Sequence, residues 1–75
     1  MIKIYTTPSC VYCKMAKEYF KTNSLEYTEL NVVTDDAARE EMIKKSGQMG
    51  VPVIDIGGQI FIGFNKSEIS KAVGK

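Results

Sequence analysis

The spacing of hydrophobic residues predicts four strands along the chain. Residues 2–6 and 25–32 are short segments in which apolar and polar side chains roughly alternate, as they do in a half-buried strand. Residues 53–56 and 59–62 are apolar runs separated only by Gly57-Gly58, and such a pair predicts a tight hairpin. The side chains expected to point inward from the second strand are Tyr27, Leu30 and Val32.

A different spacing, close to the period of a helical turn, predicts three helices. Their limits follow from residues that cap helix starts through side-chain oxygens and from residues, such as glycine, that end helices. The first helix is expected to run from Val11 to Asn23-Ser24, and the second from Thr34-Asp35-Asp36 to Gly47. The third is expected to begin at Asn65, where Glu68 three positions on resembles a capping box, and to end at Gly74. The predicted buried faces are Val11, Met15, Ala16, Tyr19 and Phe20 in the first, Ala38, Met42 and Ile43 in the second, and Ile69, Ala72 and Val73 in the third.

The resulting order is strand, helix, strand, helix, strand, strand, helix. A strand–helix–strand unit favours a parallel pair with a right-handed crossover, and the glycine hairpin adds an antiparallel strand. We therefore expect one α/β domain over residues 1–75, in which three helices pack on a four-stranded mixed sheet. Open sheets of this kind place functional sites beyond the carboxyl ends of their strands, where Cys10 follows the first strand.

Charge and composition narrow the class of partner. The 75 residues carry 10 basic and 9 acidic side chains, and the net charge of +1 argues against a nucleic-acid binder or a polybasic membrane anchor. The longest apolar runs, such as Ile60-Phe61-Ile62, are too short to span a bilayer. The start of the chain resembles a strand rather than an export signal. We therefore expect a cytoplasmic protein with neither nucleic-acid nor membrane partners.

Histidine is absent, and the chain contains only two cysteines. Without imidazole, neither a Ser-His-Asp triad nor a Cys-His pair can form. Cys10 and Cys13 lie three positions apart at the start of the first helix, and this separation suits a reversible disulfide. So short a loop contributes little as a structural crosslink, because that stabilisation grows with loop length. The pair therefore predicts redox exchange.

The two sulfurs are predicted to have different roles. Cys10 lies at the helix start, where unpaired amides and the helix dipole stabilise a thiolate, whereas Cys13 lies one turn deeper. Attack by Cys10 on a substrate disulfide would give a mixed disulfide that Cys13 resolves. Lys14 and Lys17 either add positive potential nearby or are ordinary solvated lysines.

Two alternatives stay open from the residues alone. A Cys-x-x-Cys pair is also half of a zinc site, although zinc needs about four ligands and this chain supplies two cysteines and no histidine. The segment Gly50-Val51-Pro52-Val53 precedes the third strand and is expected to face Cys10. A cis Pro52 there would expose the Val51 backbone to an extended substrate, whereas a trans Pro52 would open an edge strand.

On these residues the chain resembles the glutaredoxins over its whole length, and among them the YruB family of anaerobic bacteria and the NrdH-type redoxins. The segments that carry the resemblance are Ile4-Tyr5-Thr6, Cys10-Val11-Tyr12-Cys13, Ala16-Lys17, Met49-Gly50-Val51-Pro52 and Gly57-Gly58 with Gly63. The resemblance implies the thioredoxin fold and an oxidoreductase that carries electrons. It also implies a nucleophilic Cys10, a resolving Cys13 and a cis Pro52.

Departures from the glutaredoxin pattern concern the electron donor. Glutaredoxins typically carry a lysine where this chain has Thr7, and a second glycine and an acidic residue where it has Phe64 and Lys66. Those groups hold glutathione, and each lost charge-assisted hydrogen bond costs about 1.5–3 kcal/mol. Gly63-Phe64 instead matches NrdH-type redoxins, which accept electrons from a flavin thioredoxin reductase. The resemblance therefore implies poor use of glutathione, no tightly bound cofactor, and recharging by a thioredoxin-reductase-like enzyme.

The leading interpretation is a monomeric redoxin that reduces disulfides of client proteins or of one dedicated client. Its predicted substrate-binding residues are Tyr12, Met49, Gly50, Val51, Pro52, Gly63, Phe64 and Asn65. Tyr12, Met49, Val51 and Phe64 are expected to form an apolar rim around Cys10, unless Met49 and Phe64 serve as core or edge packing. The alternatives are a glutathione-dependent glutaredoxin and a dimer that carries an iron–sulfur cluster or a metal ion.

Overall fold

A computed structural model describes residues 1–74 of the chain. Seven elements follow one another in the predicted order. They are β1 (Ile2–Thr6), α1 (Val11–Thr22), β2 (Thr28–Asn31), α2 (Asp36–Ser46), β3 (Val53–Ile56), β4 (Gln59–Ile62) and α3 (Lys66–Val73). Within the described range, no helix has the length and apolar character that crossing a membrane requires.

The four strands form one sheet in the order β2-β1-β3-β4. β1 pairs in parallel with β2 and antiparallel with β3, and β3 pairs antiparallel with β4. The predicted mixed sheet is therefore confirmed. β1 is buried on both faces, because Ile4 points to one side of the sheet and Tyr5 to the other, and neither is exposed.

Helices cover both faces of this sheet and divide the core into two clusters. The buried residues of the first cluster, between the sheet and helices α1 and α3, are Ile2, Ile4, Ala16, Phe20, Ile54 and Ile69. Those of the second cluster, beneath α2, are Tyr5, Val32, Ala38, Met42 and Val53. β1 and β3 contribute to both clusters, so the strand that leads to Cys10 is buried between the two halves of the core.

The helix limits follow the predicted capping residues. The Asp35 carboxylate accepts a hydrogen bond from the Ala38 amide at 3.0 Å, and the Asn65 side-chain oxygen accepts one from the Glu68 amide at 3.3 Å. Gly47 ends α2 with a φ of 72°, a left-handed conformation that glycine adopts without strain. These caps satisfy amides that have no partner inside the helix.

The second strand is shorter than predicted. It covers Thr28–Asn31 instead of residues 25–32. Leu25 and Tyr27 pack against the first cluster from an irregular segment, and Val32 is buried in the second cluster just after the strand ends. The hydrophobic pattern therefore extends past β2 at both ends, because residues just before and just after the strand are also packed in the core.

The predicted buried face of α1 is also wrong in part. Val11 is 67% exposed and Met15 is 47% exposed, whereas Cys13, Ala16 and Phe20 are buried. The residues at positions 13, 16 and 20 have the spacing that faces the sheet, so Val11 and Met15 project from the outer side of the first two turns. A cysteine thus occupies a core position that the pattern assigned to larger apolar residues.

A polar network joins α2 to the sheet. The Lys45 ammonium donates to Asp55 Oδ2 at 2.6 Å and to the Tyr5 hydroxyl at 3.1 Å. It also lies 3.2 Å from Glu41 Oε1, which accepts a hydrogen bond from the Tyr5 hydroxyl. The Gly58 amide donates to Asp55 at 2.8 Å. These bonds supply partners to polar groups that packing of α2 on the sheet withdraws from water.

Candidate active site

β1 leads directly into the candidate active site. After Thr6 the chain turns, and the Cys10 amide donates a hydrogen bond to the Thr7 carbonyl at 3.3 Å. Cys10 occupies the N-cap of α1 with extended φ and ψ angles of −86° and 113°. Its carbonyl accepts the Lys14 amide at 3.3 Å, which begins the hydrogen bonding of the helix. The cysteine therefore stands at the strand–helix junction that the sequence predicts.

Cys10 and Cys13 form a disulfide, and their Cα atoms are 5.2 Å apart. The Cys10 sulfur also accepts a hydrogen bond from the Cys13 amide at 3.1 Å, in the role that a serine or aspartate oxygen usually has at an N-cap. Cys13 is only 1% exposed, whereas Cys10 is partly exposed. The Cys13 amide and the positive end of α1 therefore lie beside the Cys10 sulfur, whereas Cys13 is enclosed by the core.

The loop before β3 has the conformation that the family resemblance implies. The Val51–Pro52 peptide bond is cis. Pro52 is buried, and its carbonyl accepts the Gly63 amide at 2.8 Å, so the loop is fastened to the end of β4. Val51 packs against the second cluster, whereas Met49 is 68% exposed. Two of the predicted substrate-binding residues, Pro52 and Gly63, are thus joined by a hydrogen bond.

The segment after β4 turns toward α1. Gly63 has a φ of 80°, in the left-handed region, and Asn65 caps α3. Between them, Phe64 is half-buried against the first cluster, and its ring centroid lies 5.9 Å from that of Tyr19. Phe64 therefore packs at the edge of the core between α1 and α3, while Tyr12 is 60% exposed.

Two contacts near the site escaped the sequence analysis. The Gln48 side chain accepts the Gly50 amide at 2.5 Å and donates to the Gly50 carbonyl at 3.1 Å, which braces the loop before Pro52. A glutamine two positions before a glycine carries no recognisable signal of this kind.

In the described part of the chain, histidine, cysteine, aspartate and glutamate side chains form no group of three or more that would hold a metal ion.

The second missed contact distinguishes the two lysines of α1. The Lys17 ammonium lies 2.9 Å from Glu29 Oε2, which also accepts the buried Thr6 hydroxyl at 2.8 Å. The hydrogen bond from Lys17 lowers the pKa of Glu29, so the carboxylate stays charged and offsets the lysine. Lys14 is exposed and forms no ion pair within residues 1–74. Glu29 lies opposite Ile4 in the sheet, a relation that only the register reveals.

Comparison with known proteins identifies close relatives. The family model for glutaredoxin matches residues 2–62. A glutaredoxin-like 8.6 kDa protein in a rubredoxin operon of Clostridium pasteurianum is 52% identical over 75 residues, which is the whole of both chains. Glutaredoxin 3 of Escherichia coli is 41% identical over 58 residues, which cover 77% of this chain and 70% of that relative.

Solved structures show the same arrangement of elements. The crystal structure of a thioredoxin-like protein has a TM-score of 0.91 and 30% identity, and the match covers 96% of this chain and 99% of the other. The glutaredoxin-like NrdH-redoxin of Escherichia coli, a protein with a thioredoxin-like activity profile, has a TM-score of 0.81 and 27% identity, with 93% and 91% of the two chains covered. The fold is therefore the thioredoxin fold.

Proposed function

The chain belongs to the glutaredoxin family, whose members are thiol–disulfide oxidoreductases, and on that premise we propose that it reduces protein disulfides by attack from Cys10 and resolution by Cys13. The observation that carries the proposal is the asymmetry of the pair. Cys10 is partly exposed and its sulfur accepts an amide hydrogen bond at the helix N-cap, whereas Cys13 is 1% exposed. A partner can therefore reach one sulfur only.

The exchange proceeds in two displacements. The Cys10 thiolate attacks one sulfur of the client disulfide, and the other client sulfur leaves as a thiolate that takes a proton from water. Cys13 then gives its proton to solvent and its thiolate attacks the Cys10 sulfur. The bond between Cys10 and the client breaks, and the second client sulfur leaves as a thiolate that also takes a proton from water. The client gains two electrons and two protons, and the protein is left with the Cys10–Cys13 disulfide that the structure contains. A reductase dithiol reverses the same steps, again through the Cys10 sulfur.

Single serine replacements test the two roles. Cys10→Ser removes the attacking sulfur, so the reduction of insulin disulfides should fall to the uncatalysed rate. Cys13→Ser keeps the attack and loses the resolution, so a mixed disulfide with the client should accumulate and be detected by mass spectrometry without reducing agent. An adduct formed by Cys10→Ser and absent from Cys13→Ser would refute the assignment.

We infer that the preferred reductant is a flavin thioredoxin-reductase-like protein rather than glutathione. Thr7 supplies no ammonium group for a glutathione carboxylate, and Lys66, the first residue of α3, carries positive charge where glutaredoxins have an acidic residue for the glutathione amine. Phe64 packs against Tyr19 where those proteins have a glycine. The thioredoxin-like activity profile of the Escherichia coli NrdH-redoxin supports the same choice.

Two reducing systems assayed side by side with insulin distinguish the donors. NADPH with a bacterial thioredoxin reductase should support turnover at least about tenfold faster than NADPH, glutathione reductase and glutathione, because charge-assisted bonds to glutathione are missing. The double variant Thr7→Lys/Lys66→Asp should gain glutathione-dependent activity, whereas the matched control Thr7→Lys/Lys71→Asp should gain less. Faster turnover of the unmodified protein with glutathione would establish a glutathione-dependent glutaredoxin instead.

We also propose that the protein acts as a monomer in the cytoplasm and that clients dock on an apolar rim beside Cys10. The rim consists of Tyr12, Met49, Val51 and Phe64, with the backbone of Val51 available to an extended client, because both backbone groups of Gly50 are bonded to the Gln48 side chain. Tyr12, between the two cysteines, and Met49, in the loop before Pro52, are 60% and 68% exposed, and exposed apolar patches are typical of interaction sites. Tyr12→Ala and Met49→Ala should slow insulin reduction without lowering the melting temperature, whereas Met1→Ala, at a residue 90% exposed, should change neither. Unchanged kinetics in both rim variants would remove the rim.

A further inference from the structure

A groove lies between α1 and α3, and neither cysteine lines it. It has a volume of about 760 Å³, within the range of sites that hold a ligand or a few side chains. The residues that matter for its chemistry are Lys14, Met15, Glu18 and Tyr19 on α1, and Phe64 and Lys66 at the start of α3. We refer to it as the α1–α3 groove.

The groove combines an apolar floor with a positively charged entrance. Tyr19 and Phe64 form the floor through ring centroids 5.9 Å apart, and Met15 adds apolar surface at 47% exposure. Lys14 and Lys66 are both exposed, one on each wall, and neither has a carboxylate within ion-pair distance among residues 1–74.

The single acidic lining residue does not neutralise this entrance. Glu18 lies one turn beyond Lys14 on α1 and is not within ion-pair distance of either lysine. The two ammonium groups therefore face solvent without a bonded carboxylate, so a carboxylate of a partner can approach either of them. An apolar floor with a cationic entrance is complementary to a segment that carries a carboxylate followed by an apolar side chain.

The dimensions suit an extended segment that starts at Cys10. Lys14 follows Cys10 by four helical residues, a rise of about 6 Å, and the lining continues to Thr22, about 12 Å beyond Lys14. An extended chain covers about 3.3 Å per residue, so the groove accommodates three to four residues. Lys14 therefore lies within about one to two extended residues of a client cysteine that is joined to Cys10.

We propose that the α1–α3 groove binds the client segment that adjoins the reacting client cysteine. The carboxylate of an Asp or Glu one or two positions from that cysteine pairs with Lys14 and Lys66, and an apolar side chain further along packs on Tyr19 and Phe64. The proposal rests on the proposed attack by Cys10, and it names the substrate class as disulfide proteins with an acidic residue and then an apolar residue beside the reacting cysteine.

Two synthetic peptides provide the test. Their sequences are Gly-Cys-Glu-Ser-Leu and Gly-Cys-Lys-Ser-Leu, each supplied as its disulfide-linked homodimer. Excess reduced protein is mixed with one peptide at low ionic strength, the reaction is quenched with acid, and the released peptide thiol is measured by chromatography. A single turnover involves no reductase, and the ratio of the two rate constants cancels any change in the reactivity of Cys10 itself.

The unmodified protein should reduce the acidic peptide about threefold to tenfold faster than the basic peptide, the effect expected of two partly exposed ion pairs. Lys14→Glu/Lys66→Glu should lose or reverse this preference. Lys44→Glu/Lys71→Glu makes the same change in net charge outside the groove and should keep it. Equal ratios in the groove variant and the control would overturn the proposal, as would equal rates for both peptides in the unmodified protein. Reduction of neither peptide would instead overturn the proposed thiol chemistry, and the groove proposal with it.

Discussion

Replacing Lys45 by methionine tests what holds α2 on the sheet. Methionine approximates the length of the side chain but removes the ammonium group that Asp55, Glu41 and Tyr5 share. Asp55 is 9% exposed, and its carboxylate would keep only the Gly58 amide at 2.8 Å. The variant therefore leaves a buried negative charge without a bonded counter-ion and with only the more distant Lys3 as a neighbouring cation, which destabilises the folded state.

The magnitude follows from the degree of burial. Removing one partner of a fully buried ion pair costs about 3–5 kcal/mol. The retained bond to Gly58 and the 29% exposure of the Lys45 side chain reduce this cost, so we expect a loss of about 2–3 kcal/mol in the free energy of unfolding at pH 7. A domain of this size has about 4–11 kcal/mol in total, so the variant should stay folded and melt roughly 8–24 °C lower.

The same network predicts a pH dependence of definite sign. Burial alone raises the pKa of Asp55, but hydrogen bonds from Lys45 and Gly58 outweigh it and lower the pKa, and bonds from Tyr5 and Lys45 lower the pKa of Glu41 to about 2. Carboxylates with lowered pKa values stabilise the fold above their unfolded-state pKa of about 4, and this contribution disappears as the pH falls toward the folded-state value. The stability difference between the unmodified protein and Lys45→Met should be largest near pH 7. It should shrink as the pH falls, first because the Asp55 carboxylate of the variant, whose pKa burial raises, takes up a proton, and then because the carboxylates of the unmodified protein do so.

Urea unfolding followed by circular dichroism at several pH values measures this difference. Lys44→Met changes the neighbouring exposed lysine and should stay within about 0.5 kcal/mol of the unmodified protein. Lys45→Met/Asp55→Asn should be more stable than Lys45→Met, because the uncompensated charge is gone. A loss under about 0.5 kcal/mol for Lys45→Met, or a difference that persists unchanged to pH 2, would refute the reasoning.

Three smaller predictions concern other parts of the fold. Asp35→Ala removes the cap on the Ala38 amide and should lower the free energy of unfolding by about 1 kcal/mol, measured by urea unfolding. Glu29→Gln removes the negative charge that pairs with Lys17 and should lower the free energy of unfolding by about 0.2–1 kcal/mol at pH 7. Because the pKa of Glu29 is lowered in the folded protein, this loss should vanish below about pH 4, and a loss independent of pH would contradict the prediction. Gly63→Ala meets no atom within 4 Å but has a φ of 80°, so backbone strain alone should cost about 1–2 kcal/mol in a thermal melt.

Local chemistry determined much of this protein from the sequence alone. The order of elements, the hairpin at Gly57-Gly58, with φ angles of 59° and 97°, and the caps at Asp35 and Asn65 all depend on residues within a few positions of one another. The same holds for the cysteines, because a separation of three residues at a helix start is enough to predict their disulfide. The roles of the two sulfurs, of the substrate-binding residues and of the α1–α3 groove remain predictions.

Contacts between distant parts of the chain were decided only by the tertiary structure. The Lys17–Glu29 pair, the packing of Phe64 on Tyr19 and the burial of Cys13 in place of Val11 depend on strand register and on how α1 rotates against the sheet. Hydrophobic spacing shows that a helix has an apolar face, but several rotations bury similar apolar area. Packing against two strands selects one of these rotations, and that choice leaves Cys10 partly exposed and buries Cys13.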